Sequence, residues 1–104
     1  MKLNVLERIM LMQILPTEGN YITFKMLISL KSALTFSEKE YKDAGMAEKD
    51  GQITWKKDSL KEIPIGEKMT EIIKTALKKV DDEGKINNQL FSLFEKFEYE
   101  PVNN

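Results

Sequence analysis

Three adjacent carboxylates, Asp81-Asp82-Glu83, form the one stretch of this chain whose composition suggests a cation site or acid–base chemistry. Their spacing does not suit calcium, which takes oxygens at alternate positions of a loop and a glutamate at its end. They close a strongly periodic helical segment, and acids at a helix C-terminus oppose the macrodipole. A solvated helix end is the plainer account. Other reactive side chains are missing. The 104 residues include no Cys, which removes thiolate nucleophiles, disulfides, iron–sulfur clusters and cysteine-type zinc sites. They include no His, the commonest general base and metal ligand. A nucleophile would need Lys, Asp or Glu as its base. The five glycines are scattered singly, so no loop is built to cradle phosphate. The expectation is a protein that is not an enzyme and uses no cofactor and no metal.

Charge is balanced, with 16 Lys plus Arg against 17 Asp plus Glu, and the only arginine is Arg8. A net charge of −1 gives no electrostatic reason for nucleic acid or an acidic membrane as partner. The apolar start of the chain resembles a signal peptide, but Glu7 and Arg8 interrupt it and no small-residue cleavage site follows. No run reaches the ~18 apolar residues of a membrane span. The expected location is the cytoplasm. An apolar fraction of 41% suits a folded chain, and the length suits one domain. That domain is expected over residues 1–99, with a flexible tail over 100–104.

Five helices can be placed. The first runs from Val5 to about Leu15, capped by Asn4 with Glu7 and stopped by Pro16. It is apolar nearly all round, with Glu7, Arg8 and Gln13 as polar interruptions, which predicts a central helix or a dimer face. The second spans about Thr23 to Leu34, with Phe24, Leu27, Ile28 and Leu34 as its inward stripe. The third opens on a capping box, Ser37 with Glu40, carries a staple of Phe36 with Tyr41, and ends at Gly45. The fourth has one buried face formed by Met69, Ile72, Ile73, Ala76, Leu77 and Val80. The fifth starts at Asn87 or Asn88 and packs Leu90, Leu93, Phe94 and Phe97, with Phe91 beside that stripe. Asp50-Gly51 marks a turn. Ile53-Thr54-Trp55 and Ile63-Pro64-Ile65 read as two strands of a β-hairpin closed by Lys56 to Lys61, all four large apolar residues pointing inward. The fold class is α+β, mostly helical, with a β-hairpin inserted between the third and fourth helices.

Three helices followed by a hairpin is the element order of a winged helix, so a DNA-binding regulator is one functional reading, with Lys56, Lys57 and Lys61 on the wing. The would-be recognition helix argues against it. Glu38, Glu40 and Asp43 outnumber Lys39 and Lys42, and no Arg, Asn or Gln is present to read bases. The other reading is protein–protein contact. The nine aromatics and six methionines are the residue types that anchor interfaces. Trp55, Phe91 and Tyr99 are the candidate partner contacts, and the hairpin edge or the first helix could join two copies.

Four segments are also similar to a group of small phage and prophage proteins of unknown role. They are Leu11-Met12-Gln13-Ile14-Leu15-Pro16-Thr17-Glu18-Gly19, Phe36-Ser37-Glu38-Lys39-Glu40, Asp50-Gly51-Gln52-Ile53-Thr54-Trp55 and Ser92-Leu93-Phe94-Glu95-Lys96-Phe97. The resemblance implies a mobile-element accessory protein that binds a host or phage protein. It carries over no catalytic or binding residues.

Overall fold

Asn4 and Glu7 exchange hydrogen bonds, the Glu7 amide to Asn4 Oδ1 at 2.8 Å and the Asn4 amide to Glu7 Oε1 at 2.9 Å. This reciprocal cap starts α1 (Val5–Ile14) in the computed structural model, which describes residues 1–101. The other elements are β1 (Lys2–Leu3), α2 (Tyr21–Leu34), α3 (Glu38–Ala44), β2 (Ala47–Lys49), β3 (Gln52–Thr54), β4 (Lys61–Glu62), α4 (Glu67–Asp82) and α5 (Asn88–Lys96). The architecture is α+β with helices dominant, as expected. Side chains cap most helices at the residues anticipated: Ser37 and Glu40 form the box on α3, and Asn87 caps α5. Gly45 closes α3 at φ +63°.

The first helix is the centre of the fold. It touches α2, α4 and α5, and Gln13 is its one exposed residue. Most of the surface of α1 is thus used within the chain, with Leu6, Met10, Met12 and Ile14 half-buried. Leu11 and Leu15 belong to one core cluster with Leu27, Leu30 and Leu34 of α2, Ile73 and Leu77 of α4, and Leu93 and Phe94 of α5. A smaller cluster of Val5, Ile9, Ala44 and Met46 lies beneath Phe36 and Trp55. Burial of such side chains, each contributing ~1.5–3 kcal/mol, is the main force holding the helices together.

Two expectations fail, each for a local reason. The hairpin pairs Ala47–Lys49 with Gln52–Thr54, not Ile53–Trp55 with Ile63–Ile65. Asp50 at φ 53° and Gly51 at φ 77° make a two-residue left-handed turn, whose twist suits immediately flanking strands. Ile53 is consequently exposed, while Trp55 is half-buried. The segment after it turns back to another partner. Lys61–Glu62 pairs with Lys2–Leu3, and Ile63 is fully buried behind that ribbon. The second failure is in α2, which Asn20 caps two residues earlier than expected. Its buried stripe is Leu27, Leu30 and Leu34, so Phe24 and Ile28 face outward. Of the tail expected over 100–104, residues 102–104 lie outside the described residues, and Pro101 is exposed at the edge of a hollow that Tyr99 and Phe91 also line.

Candidate functional site

Glu7 and Arg8 are the only buried charged residues among those described, each about 1% exposed. Both interrupt the apolar pattern of α1, and both are fully engaged. Arg8 donates from Nε and Nη2 to the Leu34 carbonyl at 3.2 and 3.0 Å and from Nη2 to the Thr35 carbonyl at 2.9 Å. These bonds satisfy carbonyls at the end of α2, where the helix has no internal donors left. Its Nη1 meets Glu40 Oε2 at 2.6 Å, and the guanidinium lies 3.8 Å from the centre of the Phe36 ring. Burial works to raise the Glu40 carboxyl. The Arg8 hydrogen bond, the Ser37 amide and the charges of Arg8 and Lys61 outweigh it and bring the pKa down to about 2.

Glu7 accepts from Lys96 Nζ at 2.7 Å and from Ser92 Oγ at 3.0 Å, besides the Asn4 amide. Burial again opposes ionisation, but these bonds and the Lys96 charge hold the carboxyl below its usual range. With both Glu7 oxygens and all three Arg8 nitrogens bonded within the protein, the pair clamps α1 to α2, α3 and α5.

The acidic run dissolves into separate contacts. Asp81 accepts the Tyr99 hydroxyl at 2.7 Å, and Asp82 pairs with Lys78 at 2.7 Å. Among the described residues no three His, Cys, Asp or Glu side chains are grouped to hold a metal ion. A cleft of about 660 Å³ lies between the end of α1 and α4, lined by Ile14, Leu15, Ile72 and Ala76 together with polar Gln13, Glu18, Glu71 and Lys79. No buried polar side-chain atom of the described residues lacks a partner.

Two groups of exposed apolar side chains stand out on the described surface. Along α2, Tyr21, Phe24 and Ile28 recur at i, i+3 and i+7 and are 77%, 43% and 58% exposed. Sequence reasoning missed this strip. Its signal was the width of apolar surface on α2, which supports two stripes of identical spacing, only one of which can face α1. The second group is at the far ends of α4 and α5. There Phe91, 54% exposed, joins Ile86, Phe94, Tyr99 and Pro101 around a slot of about 270 Å³, with Asp81 and Glu95 in its walls.

Two candidate partner contacts, Phe91 and Tyr99, thus share one slot. The third, Trp55, lies apart, packed against the Val5 and Met46 cluster. The hairpin remains without a further strand on either side. Lys56 and Lys57 are exposed just beyond it, their amides bonded to the Ala44 carbonyl at 2.9 and 3.0 Å. Lys61 is in β4, drawn to Glu40 Oε1 at 3.5 Å, and Lys57 and Lys61 share a hollow with Glu40, Asp43 and Asp58. No described helix is long and apolar enough to cross a membrane. Comparison with protein-family models, curated proteins and solved structures gives no match for this chain.

Proposed function

We propose that this chain is a small non-enzymatic binding protein that acts by protein–protein contact on a host or mobile-element protein, as an inhibitor or adaptor. The observation that carries this reading is the solvent-facing strip of Tyr21, Phe24 and Ile28 on a helix whose other side is locked into the core. Three large apolar side chains at i, i+3 and i+7 are the pattern by which a helix enters a partner's groove. Leaving them in water gains nothing for the fold, and contiguous apolar surface of this kind marks interaction sites. The clamp through Arg8 and Glu7 supports the reading by presenting α2 rigidly, which lowers the entropy lost on association.

DNA binding is the weaker reading. Phosphate contact calls for a continuous positive face. The wing lysines Lys57 and Lys61 instead share their hollow with three carboxylates. The test is affinity capture from a bacterial lysate with wild-type protein, Ile28→Asp and, as a control away from α2, Gln89→Asp at an exposed position of α5. A specific protein retained by wild type and control but lost by Ile28→Asp supports the reading. Equal capture by all three, or salt-sensitive retention of duplex DNA, defeats it.

A further inference from the structure

The slot at the ends of α4 and α5 has a chemistry of its own, independent of the α2 strip. Its rim is apolar, with Phe91 and Ile86 standing open to solvent. Behind them Phe94 and Tyr99 meet edge to face, ring centres 4.9 Å apart at 86°. The polar walls are Asp81 and Glu95, and no Lys or Arg lines it. Two lysines near it in sequence are committed elsewhere, and Lys85, beside Ile86, is exposed and does not line the slot. Lys78 is paired with Asp82 at 2.7 Å. Lys96 turns away to Glu7 at 2.7 Å and the Lys2 carbonyl at 2.8 Å. Asp81 uses Oδ2 for the Tyr99 hydroxyl, and among the described residues Glu95 has no side-chain partner.

The slot is therefore a concave surface of π faces and carboxylates without a cation of its own. Aromatic faces attract cations, and carboxylates form the strongest hydrogen bonds with guanidinium and ammonium groups. At about 270 Å³ it falls just below the range of small-molecule pockets and matches one long side chain. We propose that it receives an arginine or lysine from a basic segment of a partner protein, the aliphatic stem lying on Phe91 and Ile86 and the charged head between Asp81 and Glu95. Its walls carry two acids, Asp81 and Glu95. The Tyr99 hydroxyl, bonded to Asp81, partly desolvated and facing the charges of Asp81 and Asp82, is raised to about 12. An acidic segment meets like charge and is rejected.

The test is a titration of the isotope-labelled full chain, followed by NMR, with an acetylated and amidated peptide of sequence Ala-Leu-Arg-Leu-Ala. A second peptide carries citrulline in place of arginine, keeping the shape and removing the charge. The arginine peptide is expected to shift the amides of Ile86, Phe91, Glu95 and Tyr99 and to bind about tenfold more tightly than its citrulline twin. Phe91→Ala and Glu95→Gln are each expected to weaken binding roughly fivefold. Both residues are exposed, and spectra unchanged elsewhere verify that the variants fold. The proposal is overturned by equal binding of the two peptides, by no shift in the slot, or by shifts that map to α2. It is also overturned if slot resonances move with protein concentration alone, which makes a second copy the occupant.

Discussion

The guanidinium of Arg8 and the carboxylate of Glu40 meet at 2.6 Å across 32 residues of chain. Glu40 is also the third residue of α3 and accepts the Ser37 amide at 3.0 Å, so the same carboxylate closes a helix cap and an ion pair. Arg8 in turn holds the last carbonyls of α2. One arginine thereby fixes the end of one helix and the start of the next, setting the angle of the turn through Thr35 and Phe36.

Replacing Arg8 is therefore expected to cost more than one ion pair. Arg8→Met keeps much of the volume but leaves the Leu34 and Thr35 carbonyls and Glu40 without their donor. The expected loss is about 3–5 kcal/mol by urea unfolding. Arg8→Lys keeps the charge, loses the planar fork, and falls between the two. A loss under about 1 kcal/mol for Arg8→Met would show that the clamp contributes little.

Acid is expected to loosen the same region. Glu40, lowered from 4.5 to about 2, and Glu7, lowered from 4.5, are ionised in the folded chain at pH values where the unfolded chain binds protons. Their stabilisation is complete above about pH 4.5 and is lost as pH falls toward about 2. Unfolding midpoints measured from pH 6 down through that window are expected to drop in wild type and to drop less steeply in Glu40→Gln. Parallel curves for the two proteins would remove Glu40 from the account.

Two glycines in left-handed conformation separate strain from crowding. A Cβ at Gly45, φ +63°, lies 3.3 Å from the Lys56 side chain, while one at Gly51, φ +77°, meets nothing within 4 Å. Gly51→Ala is expected to cost ~1–2 kcal/mol from backbone strain alone. Gly45→Ala carries the same strain plus the push on Lys56, and calorimetry is expected to place its Tm below that of Gly51→Ala.

The two stripes of α2 are expected to respond in opposite ways. Ile28→Asp and Phe24→Ser change exposed positions and leave stability within about 0.5 kcal/mol. Leu30→Ala, at a position buried between α2 and the core, costs about 2–5 kcal/mol. Thermal melts of these variants decide it, and a large loss for Ile28→Asp would place that face inside the fold.

What could be read from the sequence follows the range of each interaction. Asn4 with Glu7, Ser37 with Glu40, and Gly45 act within one helical turn, and all three were legible. The α+β class and the buried face of α4 were legible for the same reason. Pairing between distant segments was not. Ala47-Glu48-Lys49 has no alternation to announce a strand, and nothing near Lys61 points to Lys2 as its partner. Glu7 and Arg8 read as polar interruptions because the groups that justify their burial, at Leu34, Glu40, Ser92 and Lys96, lie far along the chain. Phe91 was recognisable as an exposed aromatic. Its company in the slot, Ile86 and Asp81 above all, depends on how α4 and α5 meet.

The bonds of Glu7 to Ser92 and Lys96 span 85 and 89 residues. During synthesis, the central helix is made well before α5, and its buried carboxylate has no counterion until Ser92 and Lys96 have followed it out of the ribosome. A nascent α1 must remain wetted at that end, so final consolidation waits for α5. Contacts of such long sequence separation slow folding, and a chain truncated before Ser92 strands a charge at the heart of its core.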